Sequence, residues 1–217
     1  MTRAKTFEAK GDFLAAVREY QSIVRNFQNL ADVTAEQAIL LELEKSKDFK
    51  KAEKQEMAEL DLQERIEATP SAQMEKLPTG ELDAMAFSEL RSSIADLKRQ
   101  AAKSGRDSLV PRRALSGLVV QAYESGQANM DQKNYSVALQ YFDLAAAGSS
   151  NPAWAYYQSA RIYAITSDKK SMLSELKKCL TAGVHDSSAL DLDEFQRYRD
   201  VPEFKAVAEE WKRNATP

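Results

Sequence analysis

The chain has 217 residues, 43% apolar and 29% charged, which is enough apolar surface for one sizeable core or two small ones. Seven glycines and six prolines are few for this length and argue for long helices against a β-sandwich or barrel. A net charge of −3 with no basic face argues against a nucleic-acid partner, and the single cysteine, Cys179, excludes an intrachain disulfide and cysteine-based zinc or iron–sulfur sites.

Met1-Thr2-Arg3-Ala4-Lys5 leads into an amphipathic helix and not into the apolar core of a signal peptide. Phe7, Gly11, Phe13, Ala16, Tyr20 and Ile23 then place small and large apolar residues at helical spacing around a Gly11-Asp12 turn, predicting a helical hairpin over residues 6–27. Only about ten residues precede that turn, so the hairpin is expected to begin partway into its first helix, as if cut from a longer protein. The longest mostly apolar runs, such as 38–43 and 115–120, are too short to span a bilayer. A soluble protein is expected, cytoplasmic, or periplasmic or secreted if the sequence is a piece of an exported one.

Thr34-Ala35-Glu36-Gln37 has the form of a capping box, in which the Thr34 hydroxyl accepts from the Gln37 amide. From Thr34 to about Glu67 no residue breaks a helix, and sixteen of those 34 residues are charged with both signs interleaved. That pattern predicts a solvated helix laced with ion pairs, packing along a thin stripe of Ile39, Leu40, Leu43, Ala52, Met57, Leu60 and Leu62. Thr69-Pro70-Ser71 and Leu77-Pro78-Thr79-Gly80 punctuate the middle. A helix is predicted over residues 81–103, with Leu82, Met85, Ala86, Leu90, Ile94 and Leu97 on one face. Asp107 or Ser108 is expected to cap the next helix, over residues 110–131, with Pro111 in its first turn where a missing amide costs nothing.

That helix enters a repeat. Gly126, Tyr135, Ala138, Phe142 and Ala145 are followed 34 residues later by Ala160, Lys169, Met172, Leu176 and Cys179. Small residues at helix crossings with a period of 34 indicate a two-helix solenoid. A last helix over residues 202–213 presents Phe204, Val207, Ala208 and Trp211 as the end cap that such an array needs. Asp191 and Asp193 are expected to cap the short helix before it.

Residues 4–28 and 118–184 resemble tetratricopeptide repeats. The resemblance rests on Gly126, Tyr135, Ala138, Phe142 and Ala145, then on Ala160, Tyr163, Met172, Leu176 and Cys179, with Pro152 near the junction. Asn129 stands where the family has an aromatic, and Met172 where it has a small residue. The resemblance implies an all-α solenoid with a partial hairpin at 1–30 and repeats with a cap at 108–217, while the middle, 31–107, has no counterpart in the family and is expected to be a charged helical hairpin or spacer between them. It also implies a scaffold that binds a protein or peptide along the inner face of each first helix. By alignment that face carries Tyr123, Gln127 and Met130, then Trp154, Tyr157 and Arg161, and aromatics and arginine are enriched at binding hot spots.

Other candidates carry less chemistry. His185 is the only histidine and has no nucleophile motif beside it. Cys179 reads as a small buried hydrophobe. Asp186, Asp191, Asp193 and Glu194 lack the spacing and glycine turn of a calcium loop. Lys98, Arg99, Lys103, Arg106, Arg112 and Arg113 read as a solvated turn interrupted by Asp96 and Asp107. The expectation is therefore no catalytic residue, metal or cofactor, and a protein-interaction module. The alternative is an accessory or oligomerisation domain of an enzyme, such as a hydrolase, with its catalytic domain upstream.

Overall fold

A computed structural model describes residues 3–77, 83–183 and 187–215. Every regular element among them is helical. The expectations at Pro78, Gly80, Leu82, His185 and Asp186 lie outside the described residues. The protein divides into two compact units, Met1–Leu62 and Gln63–Pro217.

In the first unit α1 (Arg3–Ala9) and α2 (Phe13–Phe27) form the predicted hairpin, followed by α3 (Thr34–Lys45) and the opening turns of α4 (Lys47–Lys76). Gly11 turns the backbone at φ +73°, a conformation that glycine adopts without a Cβ penalty. The Asp12 carboxylate then accepts from the Ala15 amide at 3.1 Å and caps α2. Ala4, Ala16, Val17, Tyr20 and Leu43 form the core, with Phe7, Phe13, Ile23, Ile39, Leu40 and Phe49 around it.

Four expectations for the charged segment fail. The capping box does not form: Thr34 is already the first residue of α3, its amide (3.0 Å) and hydroxyl (2.6 Å) donate to the Asp32 carboxylate, and the Gln37 amide donates to the Val33 carbonyl at 2.9 Å. The helix breaks once, at Ser46, which turns to extended backbone while its hydroxyl accepts from the Phe49 amide at 3.1 Å. A serine caps a new helix start as readily as it continues one, and periodicity does not distinguish the two. Pro70 does not end α4 but lies buried within it, one turn before buried Met74. A proline in that place forgoes one backbone hydrogen bond, which the apolar burial offsets. Finally, Met57, Leu60 and Leu62 are exposed, so the apolar stripe ends with Ala52.

The second unit contains the end of α4, α5 (Ala84–Ala101), α6 (Leu109–Asp131), α7 (Tyr135–Gly148), α8 (Ala153–Ile165), α9 (Lys169–Thr181), α10 (Asp193–Gln196) and α11 (Pro202–Ala215). The Asp83 carboxylate caps α5 through the Ala86 amide. Ser108 stands at the N-cap position of α6, as one of the two expected residues, but its side chain makes no capping hydrogen bond there. Residues 106–108 form a single 3-10 turn, and the Ser108 hydroxyl donates back to the Gly105 carbonyl at 2.8 Å. Asp191 and Asp193 give no cap to α10, whose N-cap position is Leu192.

α6 and α7 fold back on each other at closest approach through two glycines. A Cβ on Gly126 would stand 2.8 Å from the Phe142 ring, and one on Gly148 would stand 2.5 Å from Val119. The order of these pairs, late in α6 with the middle of α7 and mid-α6 with the end of α7, makes the helices antiparallel. α8 and α9 repeat the arrangement, with the Cys179 thiol reaching the Ala153 carbonyl at 3.4 Å.

The same turn joins each hairpin. Lys133 (φ +65°) and Ser167 (φ +66°), 34 residues apart, occupy the left-handed position that Gly11 takes in the first unit. The following amides, of Asn134 and Asp168, donate five residues back to the carbonyls of Asn129 and Tyr163 at 2.8 and 2.9 Å, and that of Asp12 donates to Phe7 at 3.0 Å. This six-to-one bond closes a helix end, and the donating residue starts the next helix.

Two cores result. One joins Met74, Leu77, Phe87, Leu90 and Ile94 to α6, α7 and two residues of α8. The Tyr141 hydroxyl, pointing into it, donates to the Met74 carbonyl at 3.0 Å. The other packs Phe195, Tyr198, Phe204, Val207 and Trp211 against α8 and α9, so the C-terminal segment covers the apolar face that α8 and α9 present.

Candidate functional site

The six residues expected on the inner face lie on α6 and α8 at spacings of three and four, hence on one side of each helix. The two helices meet there through side chains: the Gln158 amide donates to the Tyr123 hydroxyl at 2.9 Å. From Gln158 a polar network runs on. Arg161 donates to the Gln158 carbonyl oxygen at 3.0 Å and from Nε to the Glu194 carboxylate at 2.6 Å. Gln158 is buried and the Arg161–Glu194 pair is three-quarters or more shielded from solvent, so the network is held in a low-dielectric setting.

The six residues end in different surroundings. Trp154 is half exposed, edge-on to Tyr157 at 5.5 Å between ring centres. Tyr157 is buried among Trp154, Phe195 and Trp211, and its hydroxyl donates to the Ala189 carbonyl at 2.5 Å. Arg161 is held by α10. Met130 belongs to the core, Tyr123 stands edge-on to Phe142, and Gln127 donates along its own helix to Asp131 at 3.2 Å. The open surface therefore narrows to Trp154, Gln127 and the parts of α6 beside them.

One exposed residue on that surface was not anticipated. Val120 is 52% exposed and lies 34 residues before Trp154, which is 51% exposed, so equivalent positions of α6 and α8 both present an apolar side chain to solvent. The period of 34, applied to Trp154, would have found it.

The remaining candidates are absorbed by the fold. Cys179 is fully buried, and burial pushes its thiol far above the usual range, the opposite of a nucleophile's setting. Asp191 and Asp193 are exposed, Glu194 is taken by Arg161, and no group of three metal-ligating side chains occurs among the described residues.

The basic stretch has a structural use that its sequence did not reveal. Lys98 donates to the carbonyls of Ala147 and Ser149 at 2.7 and 3.0 Å, and Arg112 to those of Ala101 and Lys103 at 2.8 and 3.2 Å. The two cations thus satisfy orphan carbonyls at the C-terminal ends of α7 and α5, where the helix dipole is negative. Arg99 pairs with Asp96, and Arg106 and Arg113 have contacts of their own. A cleft of about 430 Å³ opens between α5, α6 and α7 beside Lys98 and Arg112, floored by Leu115 and Val119.

No family model matches this sequence, and neither the curated proteins nor the solved structures searched contain a match to it.

Proposed function

We propose that the protein is a non-catalytic interaction module built on tetratricopeptide-like helical hairpins, and that it binds a protein or peptide along α6 and α8. Support for the repeat reading comes from the turn shared by the hairpins, with its left-handed residue and six-to-one bond recurring at a spacing of 34. The observation that carries the binding reading is the exposed pair Val120 and Trp154 at matching positions of consecutive first helices. A tryptophan half in water, braced edge-on by a buried tyrosine, is a preorganised anchor that loses little conformational freedom on binding.

The test is selection of displayed random peptides against the immobilised protein, followed by titration onto Trp154→Ala and Val120→Ser. Both residues are on the surface, so the variants are expected to keep the circular dichroism of the parent. Enriched peptides should lose at least about tenfold in affinity on Trp154→Ala, the scale of one interface anchor. Failure to enrich any peptide, or equal binding to both variants and parent, would overturn the reading.

A further inference from the structure

The stripe of α6 that carries Val120 also carries charge of one sign. Residues 117, 120, 124, 127 and 131 follow each other at spacings of three and four and share one side of the helix. At Gly117 the Glu67 carboxylate of α4 lies against the glycine, 3.1 Å from where a Cβ would stand, and the Gln63 amide holds it there at 2.9 Å. One turn further the exposed Glu124 follows Val120, and no side chain among the described residues pairs with it. At the far end Asp131 is exposed and, among the described residues, accepts from the neutral Gln127 amide alone.

Two nearby cations are already engaged, while Lys133, two residues past Asp131, is exposed. Arg161 on the α8 side is closed off by Glu194 and Gln158. Arg113, one turn before Gly117, has a contact of its own. Glu67, Glu124 and Asp131 are thus spread along the side of α6 that presents Val120, and Arg161 on α8 is neutralised by Glu194. Carboxylates spread along an apolar face favour a positively charged partner over a negatively charged one.

We infer that the α6–α8 face takes a cationic amphipathic segment of another protein, with apolar side chains on Val120 and Trp154 and lysine or arginine toward Glu67, Glu124 and Asp131. The inference rests on the interaction-module reading and adds the chemistry of the partner. An arginine or lysine beside Trp154 would also meet the face of an indole, a favourable position for a cation. An acidic segment, such as a C-terminal carboxylate of the kind a lysine–arginine clamp holds, would meet three carboxylates instead.

The experiment uses the 217-residue chain and a labelled synthetic peptide with lysines flanking two phenylalanines one helical turn apart. It is compared with the same peptide carrying glutamate, and then glutamine, at each lysine. Fluorescence anisotropy is expected to show the lysine peptide binding at least about tenfold more tightly than the glutamate peptide, with the gap shrinking as ionic strength rises past about 0.3 M. Glu124→Lys should erase that preference, Glu124→Gln should halve or better its logarithm, and Trp154→Ala should release all three peptides. Glu124 is exposed, so both replacements are expected to leave the fold unchanged by circular dichroism.

Trp154-dependent binding with no preference for lysine would overturn the inference and leave the interaction face standing. Binding of every peptide that ignores Trp154 would overturn both. Loss of preference in Glu124→Lys but not in Glu124→Gln would assign it to a repulsive new charge, and the inference would fail.

Discussion

The Nε of Arg161 and a carboxylate oxygen of Glu194 lie 2.6 Å apart, joining α8 to the segment that closes the C-terminal end of the second unit. Arg161 reaches Gln158 in the same step, and Gln158 reaches Tyr123 on α6. One ion pair thereby orders three helices, and its removal leaves Arg161 shielded without a counterion. Glu194→Ala is expected to cost about 1.5–3 kcal/mol, the range for a hydrogen bond to a charged group, and to lower the melting temperature accordingly. Glu194→Gln, which keeps one acceptor, should recover part of that loss. Equal melting temperatures for the parent and Glu194→Ala would show that the pair contributes nothing.

Two glycines in one helix predict opposite responses. At Gly126 a methyl group would stand 2.8 Å from the buried Phe142 ring, with Tyr123 packed edge-on behind it, so Gly126→Ala forces α6 and α7 apart. The cost of such overpacking is about 1–3 kcal/mol. At Gly117 the nearest neighbour is the flexible end of Glu67, and the helix gains an alanine in place of a glycine. Gly117→Ala is expected to stabilise by about 0.5–1 kcal/mol. Chemical denaturation of both variants checks the pair, and a shift of the same sign in each would contradict it.

The spacing of 34 was legible because helix crossings demand small residues, which constrains residue type locally, whereas the left-handed turn positions, Lys133 and Ser167, carry no such signal. Gly126 against Phe142 is of that kind. What the spacing could not supply is the identity of the neighbour covering a given helix face. Tyr157 and Trp154 are three residues apart and look alike in sequence, yet the segment carrying Phe195 and Trp211 buries one and leaves the other in water. The same ignorance applies to Met57 and Leu60, which share the periodicity of Leu43 without its burial. Ser46 and Pro70 misled in opposite senses, since propensity is a weak term that a new cap or a buried surface overrides.

Cys179 links burial to pH. The thiol is raised well above its ordinary value of 9.0, first by desolvation and then by the nearby Glu175 carboxylate, so the folded protein keeps it protonated where the unfolded state ionises. The stabilisation is full below about pH 9 and is lost as pH rises beyond it, at up to about 1.4 kcal/mol per pH unit. Cys179→Ala should remove that slope between about pH 9 and 10, below the range in which Tyr141 and Tyr163, also raised by burial, begin to contribute. The native thiol should also resist a thiol reagent at pH 8 and react at once in denaturant. A native thiol as reactive as a free one would contradict the burial itself.

The recurring turn gives the last prediction its internal control. Gly11 holds its left-handed φ without strain, whereas Lys133 and Ser167 hold nearly the same φ with a side chain attached. An L-residue there costs about 1–2 kcal/mol relative to a right-handed conformation, and glycine removes that cost while adding entropy to the unfolded state. The exposed Lys133 side chain pairs with no other among the described residues, so Lys133→Gly is expected to stabilise the second unit by about 0.5–1 kcal/mol. Ser167 differs, because its hydroxyl accepts from Arg197 at 2.6 Å, and Ser167→Gly should gain less. Gly11→Ala, which imposes on the first unit what Lys133→Gly relieves in the second, should destabilise by a similar amount. Thermal melts of the three variants decide the matter, and a destabilised Lys133→Gly would mean that the turn's energy lies in the lysine side chain and not in its backbone.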